Sequence, residues 1–270
     1  MSAILRLVQG TPEWHNHRSQ YRNASETPAV LGISPWMTPY DLWLVKTGRK
    51  TTVENEAMKH GSAMEPEARA VYEQETGLVM QPKVVVDGLY SASLDGMTLD
   101  GKLILEVKCP FQGQTSELWQ VVESGKVPEH YRLQVQHQLM VSGANLAHLW
   151  VYSGNQGIKL EIAPDLAEFD RIQLAWDAFQ PYLINDSPPP LTEQDTVLRE
   201  DQEWQEAVEA YLSWRSTAEE AASKADEAKA RLVSLTQHCR ESGHGVTVTR
   251  YWKQGDKEEV RVTIARGVGL

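Results

Sequence analysis

The segment Leu103-Ile104-Leu105-Glu106-Val107-Lys108 constrains the fold more than any other part of the chain, because it combines an apolar strand with two charges. Side chains alternate along a strand, so Glu106 and Lys108 share one face and Val107 takes the other. A Glu-Lys pair on an exposed strand is the plainer reading of such spacing and contributes little to stability. Leu103, Ile104, Leu105 and Val107 argue instead for a strand inside the protein, ended by Cys109-Pro110. Charges in such a strand are costly unless a metal or partner groups satisfy them.

The flanking patterns supply the rest of the fold. Helices are expected around 12–21, from Ser25-Glu26, over Pro39–Lys46 and over 54–75. Short strands follow at Lys83–Val86, Leu89–Ser93 and Leu103–Val107, with Asp87-Gly88 and Asp100-Gly101 as turns between them. Helices at 115–124 and 129–142, strands at His148–Tyr152 and Gly157–Ile162, and a helix at 165–183 complete an α/β sandwich around a mixed central β-sheet.

Pro188, Pro189 and Pro190 remove three backbone donors in a row and block a continuing helix, which predicts a core over 1–190 and an extension over 191–270. In the extension, Trp204, Val208, Tyr211, Leu212, Ala218, Ala221, Ala225, Ala228, Leu232 and Leu235 recur at steps of three and four among charged residues. This predicts an amphipathic helix of about 35 residues, packed by its narrow apolar stripe on its own domain. Its stop is expected at Ser242-Gly243-His244-Gly245, followed by a β-hairpin from Val246 to Trp252, a turn at Gln254-Gly255-Asp256 and a return from Val260 to Ile264.

The formal net charge of −11 excludes a protein coated in positive potential, though not an enzyme with a local basic groove. Two cysteines, Cys109 and Cys239, are too few for a disulfide framework, and no run of 18 apolar residues occurs. A cytoplasmic location with no membrane contact is the expectation. The eight histidines form no H-E-x-x-H zinc signature, and no G-x-x-x-x-G-K-[ST] loop supports nucleotide-driven movement.

Asp95 lies eleven residues before Glu106, at the end of Ser91-Ala-Ser-Leu-Asp95. Two carboxylates and a lysine on one surface suit Mg²⁺, a hard cation that is usually held by one or two carboxylates, waters and substrate phosphate oxygens. Asp95 and Glu106 would hold the metal, while Lys108 would orient or deprotonate the attacking water or stabilise charge on phosphorus. Phosphodiester hydrolysis is the chemistry these residues imply. Asp100 more simply makes the turn with Gly101.

Five motifs in order extend this reading. Trp14 to Arg18 with Ala24-Ser25-Glu26, Gly61 to Glu65, Ser93-Leu94-Asp95-Gly96, Leu105-Glu106-Val107-Lys108-Cys109-Pro110 and Gln134-Val135-Gln136 together resemble the phage lambda-type exonucleases. These are also called YqaJ-type viral recombinases, within the PD-(D/E)xK nuclease superfamily. The chain departs from the superfamily signature at Leu94, where the proline of the PD pair usually stands. The resemblance implies a Mg²⁺ site of Asp95, Glu106, the Val107 carbonyl and Glu65, with Mn²⁺ substituting, and a 5′-phosphate pocket of Arg18, Ser25, Ser93 and Gln134. It further implies 5′-to-3′ digestion of one strand of linear duplex DNA, leaving 3′ overhangs for a single-strand annealing protein. A homotrimer ring in a bacterial or phage-infected cell is part of the same expectation. The competing readings are a structure-specific or restriction-type endonuclease on the same core, and a catalytically weak DNA-end-binding scaffold.

Overall fold

A computed structural model describes residues 2–154, 156–253 and 257–266. The chain divides into two compact units, Met1–Thr196 and Val197–Leu270. Residues just beyond the proline run remain with the first unit, where Asp195 accepts a hydrogen bond from Thr38 at 2.5 Å and Gln194 donates to the Ser34 carbonyl.

The first unit contains the strands β1 (Ala3–Leu5), β2 (Arg22–Asn23), β3 (Lys83–Asp87), β4 (Tyr90–Leu94), β5 (Gly96–Met97), β6 (Leu103–Lys108), β7 (Leu146–Tyr152) and β8 (Gly157–Ile162). Its α-helices are α1 (Pro12–Gln20), α2 (Thr27–Val30), α3 (Pro39–Lys46), α4 (Glu56–Thr76), α5 (Glu117–Glu123), α6 (Glu129–Ser142) and α7 (Leu166–Ile184). The mixed α/β class agrees with the sequence reading, but the strands form two mixed four-stranded sheets, β1-β3-β4-β2 and β5-β6-β7-β8. The expected single sheet splits at Asp95, where the chain leaves β4 of one sheet and enters β5 of the other. Gln81 and Met97 exchange backbone hydrogen bonds of 3.0 and 2.9 Å and tie the sheets together at this point.

Strand β6 is covered on both faces, as its composition requires. Ile104 joins a cluster with Leu94, Val135, Leu139, Leu149 and Val151 on the α6 side. Leu105 and Val107 join Ala68, Tyr72 and Trp150 on the α4 side. A third cluster of Leu42, Trp43, Leu133, Ile172 and Trp176 holds α3, α6 and α7 together. The two-residue periodicity therefore aims Glu106 and Lys108 at α6, the side occupied by Ile104. Helix α6 ends at Gly143, whose φ of 71° places it in the left-handed region that terminates helices.

The second unit contains the 34-residue helix α8 (Gln202–Leu235) and the strands β9 (Arg240–Gly243), β10 (Val246–Lys253) and β11 (Lys257–Ile264). The helix begins at Asp201, whose side chain accepts from the Trp204 amide. It stops at Leu235, short of the expected Ser242–Gly245 signal, and residues 240–243 form a strand instead. His244 and Gly245, with φ of 48° and 80°, make the two-residue turn between β9 and β10. Positive φ at both central residues suits a tight hairpin whose twist matches its strands. The expected hairpin is thus a three-stranded antiparallel sheet, β11-β10-β9. The turn expected at Gln254-Gly255-Asp256 lies outside the described residues.

Candidate active site

The polar centre forms where the sheet around β6 is incomplete. Strand β5 pairs with β6 only at Leu105 and Ile104, so nothing continues the ladder beside Val107. Asp95, immediately before β5, takes this place, and its Oδ2 accepts the Val107 amide at 2.8 Å. A residue's N–H and C=O leave a strand on the same edge, so the Val107 carbonyl projects on the side where Asp95 stands. Gly96 fits the bend because a Cβ there would stand 2.7 Å from Met80 Cβ and 3.2 Å from Leu105 Cβ. The glycine after Asp95 is therefore required by close packing, with no positive φ involved.

Glu106 is buried, and three donors converge on its carboxylate. Lys108 Nζ and Gln134 Nε2 reach Oε1 at 2.5 and 2.6 Å, and Gln138 Nε2 reaches Oε2 at 2.5 Å. Gln134 and Gln138 are one helical turn apart on α6 and so face the same side. Gln138 also donates to the Ser93 carbonyl at 3.4 Å, linking β4 to the same carboxylate. The Lys108 ammonium lies 5.0 Å from the centre of the Tyr131 ring.

Glu65 and Arg69 approach from α4. Arg69 Nη1 donates to Glu65 Oε1 at 3.1 Å and to the Asp95 carbonyl at 3.0 Å. Burial, then the negative charges of Glu106 and Glu65, pushes the Asp95 carboxyl well above the ordinary carboxylate range. Glu65 moves the same way, chiefly through burial. Burial works against the charge on Lys108, but Glu106, Tyr131 and Asp95 more than offset it and raise its pKa. Burial beside these carboxylates pushes the neighbouring Cys109 thiol up to about 12, which leaves it protonated and a poor nucleophile.

A second constellation lies on the α1 side of β4. Arg18 Nη2 donates to Ser25 Oγ at 3.0 Å and to Glu26 Oε1 at 3.2 Å. The Arg18 guanidinium lies 4.8 Å from the centre of the Trp14 ring, and Trp14 Nε1 donates to Ser93 Oγ at 2.8 Å. Both Arg18 hydrogen bonds leave from Nη2, and its remaining nitrogens have none among the described residues. Glu26 also pairs with the buried Lys46 ammonium at 2.7 Å.

Asp95, Glu106, Val107, Lys108 and Glu65 thus gather at one centre, while Arg18, Ser25 and Ser93 gather at another. Gln134, which the sequence reading placed with the Arg18 group, donates from α6 to Glu106. Asp100 accepts from Thr98 and the Lys102 amide, in keeping with a turn residue. Sequence reasoning missed Gln138 and Arg69. The glutamines at 134 and 138, four residues apart and so on one face of the helix, were the available signal for the first.

Residues 13–145 match the YqaJ-like viral recombinase domain. Protein YqaJ of Bacillus subtilis strain 168 is 31% identical over 170 residues, 59% of this chain and 52% of that protein, so the chain spans about half the relative's length. Among solved structures, an alkaline exonuclease (LHK-Exo) from Laribacter hongkongensis is similar with a TM-score of 0.57 and 26% identity, covering 66% of this chain and 94% of that one. The same exonuclease in complex with dAMP gives equal values. Both constellations lie within residues 13–145, the stretch that is similar to the YqaJ-like viral recombinase domain.

Proposed function

We propose that the chain is a Mg²⁺-dependent exonuclease that digests one strand of linear duplex DNA from its 5′ end. The observation that carries this reading is the joint placement of Asp95, Glu106 and Lys108 beside the open edge of β6, with Asp95 taking the amide of Val107. The dAMP complex of the similar alkaline exonuclease supports it, because a nucleoside monophosphate is what stepwise hydrolysis releases.

The donor set fits a hard divalent cation. Asp95, Glu106 and Glu65 are oxygen donors; burial first, and then their mutual repulsion, raises the protonation of Asp95, and a cation would relieve that repulsion. Among the described residues, no group of three or more His, Cys, Asp and Glu is gathered to hold a metal. The proposal is accordingly a site of Asp95, Glu106 and the Val107 carbonyl, with Glu65 acting nearby through water. Bound there, Mg²⁺ would polarise the phosphate and lower the pKa of an attacking water.

The chain's own groups do the rest. Lys108 stays protonated beside Glu106 and supplies positive charge to the phosphate oxygens. Gln134 and Gln138 fix the Glu106 carboxylate. Arg18, Ser25 and Ser93 would receive a terminal 5′-phosphate, since guanidinium forks match phosphate oxygens. The resulting 3′ overhang is a substrate for a single-strand annealing protein, and a three-membered ring would keep the enzyme on DNA without a nucleotide motor.

The test is incubation with linear duplexes labelled at the 5′ or the 3′ end, with Mg²⁺, with Mn²⁺ and with chelator, beside closed circular DNA. Mononucleotides should appear first from the 5′ label, only with metal, and the circle should survive. Cleavage of the circle would replace the exonuclease reading with an endonuclease. Metal-dependent release that persists in Asp95→Ala would remove this centre from the chemistry.

A further inference from the structure

Helix α8 carries more order in its apolar residues than a surface helix needs. Trp204, Ala207, Tyr211, Trp214, Ala218, Ala221, Ala225, Ala228, Leu232 and Leu235 follow steps of 3,4,3,4,3,4,3,4,3 without interruption. This is the a/d pattern of a coiled coil over more than four heptads, along roughly 46 Å at ~1.5 Å per residue. No residue of α8 is buried: Trp214 is 74% exposed, Leu235 66% and Tyr211 62%. Arg199 stacks over the Trp204 ring at 5.0 Å, but the rest of the seam has no such cover. The β9–β11 sheet meets the helix away from the seam, at Val233, whose carbonyl accepts from Arg250 at 2.8 Å, and at the buried Thr236. Within the second unit, the stripe expected to pack on its own domain has no partner among the described residues.

We propose that α8 pairs antiparallel with α8 of a second copy of this chain. The order of side-chain sizes along the seam carries the direction. Large residues stand at both ends and four alanines in the middle. Antiparallel pairing about the helix midpoint sets Tyr211 opposite Ala228, Trp214 opposite Ala225, Ala207 opposite Leu232 and Ala218 opposite Ala221. Large then meets small in the layers on either side of two central Ala218–Ala221 layers, so no interior layer sets two large residues together, and the helices can keep the ordinary separation of about 8–10 Å. Trp204 with Leu235 makes the two-large layer, and it falls at the ends, where helices can splay. Parallel pairing would stack Trp204, Tyr211 and Trp214 on their own copies and leave five all-alanine layers among and beside them, a spacing two helices cannot satisfy together.

The flanking charges choose the same direction. Positions e and g hold Val208, Arg215, Ala222 and Lys229, and Glu203, Ala210, Thr217, Lys224 and Arg231. A parallel coil brings g against the following e of the partner, so Lys224 would meet Lys229 on both sides of the dimer. An antiparallel coil brings e against e and g against g. Lys229 then faces Val208, Arg215 faces Ala222, Lys224 faces Thr217 and Arg231 faces Ala210, so no like charges are opposed.

The contact is independent of the nuclease reading and of any ring made by the first unit. It requires an even number of chains: two, or six where a three-membered ring also closes. Sedimentation of the full chain at micromolar concentration reads this directly. Trp214→Ala leaves an Ala-Ala layer and Ala225→Trp crowds two tryptophans, so each should weaken the paired state at least about tenfold. The double variant restores one Trp and one Ala to the same layer and should return to within about threefold of the parent, a rescue that only antiparallel pairing supplies. Leu212→Glu, at an exposed position off the seam, should leave association unchanged. A full chain with one or three copies, a double variant as weak as the single ones, or an equal loss in Leu212→Glu would overturn the proposal.

Discussion

Replacing Gln138 with leucine isolates the support of Glu106 from the metal chemistry itself. Gln138 is 1% exposed and its Nε2 is the donor on Glu106 Oε2. Leucine is close in size, so the helix and its packing should persist while Oε2 loses its partner. A hydrogen bond to a charged group contributes about 1.5–3 kcal/mol, and the apolar leucine recovers about 1 kcal/mol through burial. A net loss of about 0.5–2 kcal/mol follows, or a Tm lower by about 1–8 °C for a unit of this size. The functional effect should be larger in proportion, because groups that orient a metal-binding carboxylate typically change metal affinity or activity about 10–100-fold. The assay is release of nucleotides from a linear duplex across a Mg²⁺ series, beside thermal unfolding without metal. The expected signature is a Mg²⁺ requirement shifted upward by at least about tenfold, with turnover partly restored at high Mg²⁺. A lowered Tm with an unchanged Mg²⁺ requirement would refute the reasoning and make Gln138 a packing residue only.

Three further outcomes are expected. Arg18→Ala should reduce the preference for 5′-phosphorylated over 5′-hydroxyl ends more than it slows cutting of an engaged strand; equal losses on both ends would make Arg18 a fold residue acting through Ser25 and Glu26. Gly96→Ala should destabilise the protein by about 1–3 kcal/mol and also lower turnover, since relieving its clash with Met80 displaces Asp95; full activity in the folded variant would show that the bend tolerates a Cβ. His137 is fully buried, and desolvation lowers its pKa to about 3, with Thr27 Oγ1 hydrogen-bonded to its Nδ1. The unfolded chain takes up this proton near pH 6.5 while the folded one does not, so stability falls as pH drops from 6.5 toward 3. The loss amounts to about 2 kcal/mol between pH 8 and pH 5. Urea unfolding at the two pH values should show a smaller acid loss in His137→Gln, and an unchanged loss would remove His137 as the cause.

The catalytic candidates were legible in the sequence because their signals are local. Glu106, Val107 and Lys108 alternate within one strand, and the apolar residues around them imply burial. Asp95 and Gly96 sit at a chain bend that their own residue types announce. The heptad of α8 is equally local, since 3.5-residue periodicity is a property of consecutive residues. Sequence periodicity could not show that the pairing of β5 with β6 ends at Leu105, leaving the Val107 amide to Asp95, because strand pairing joins segments through long-range register. The same limit hid Gln138: its face on α6 becomes informative only once α6 lies over Glu106. It also hid the hydrogen bond from Gln134 to Glu106, and turned Ser242–Gly245 from a helix stop into a strand and hairpin turn. Local chemistry thus named the candidate reacting groups, and packing between distant segments decided which groups hold them in place.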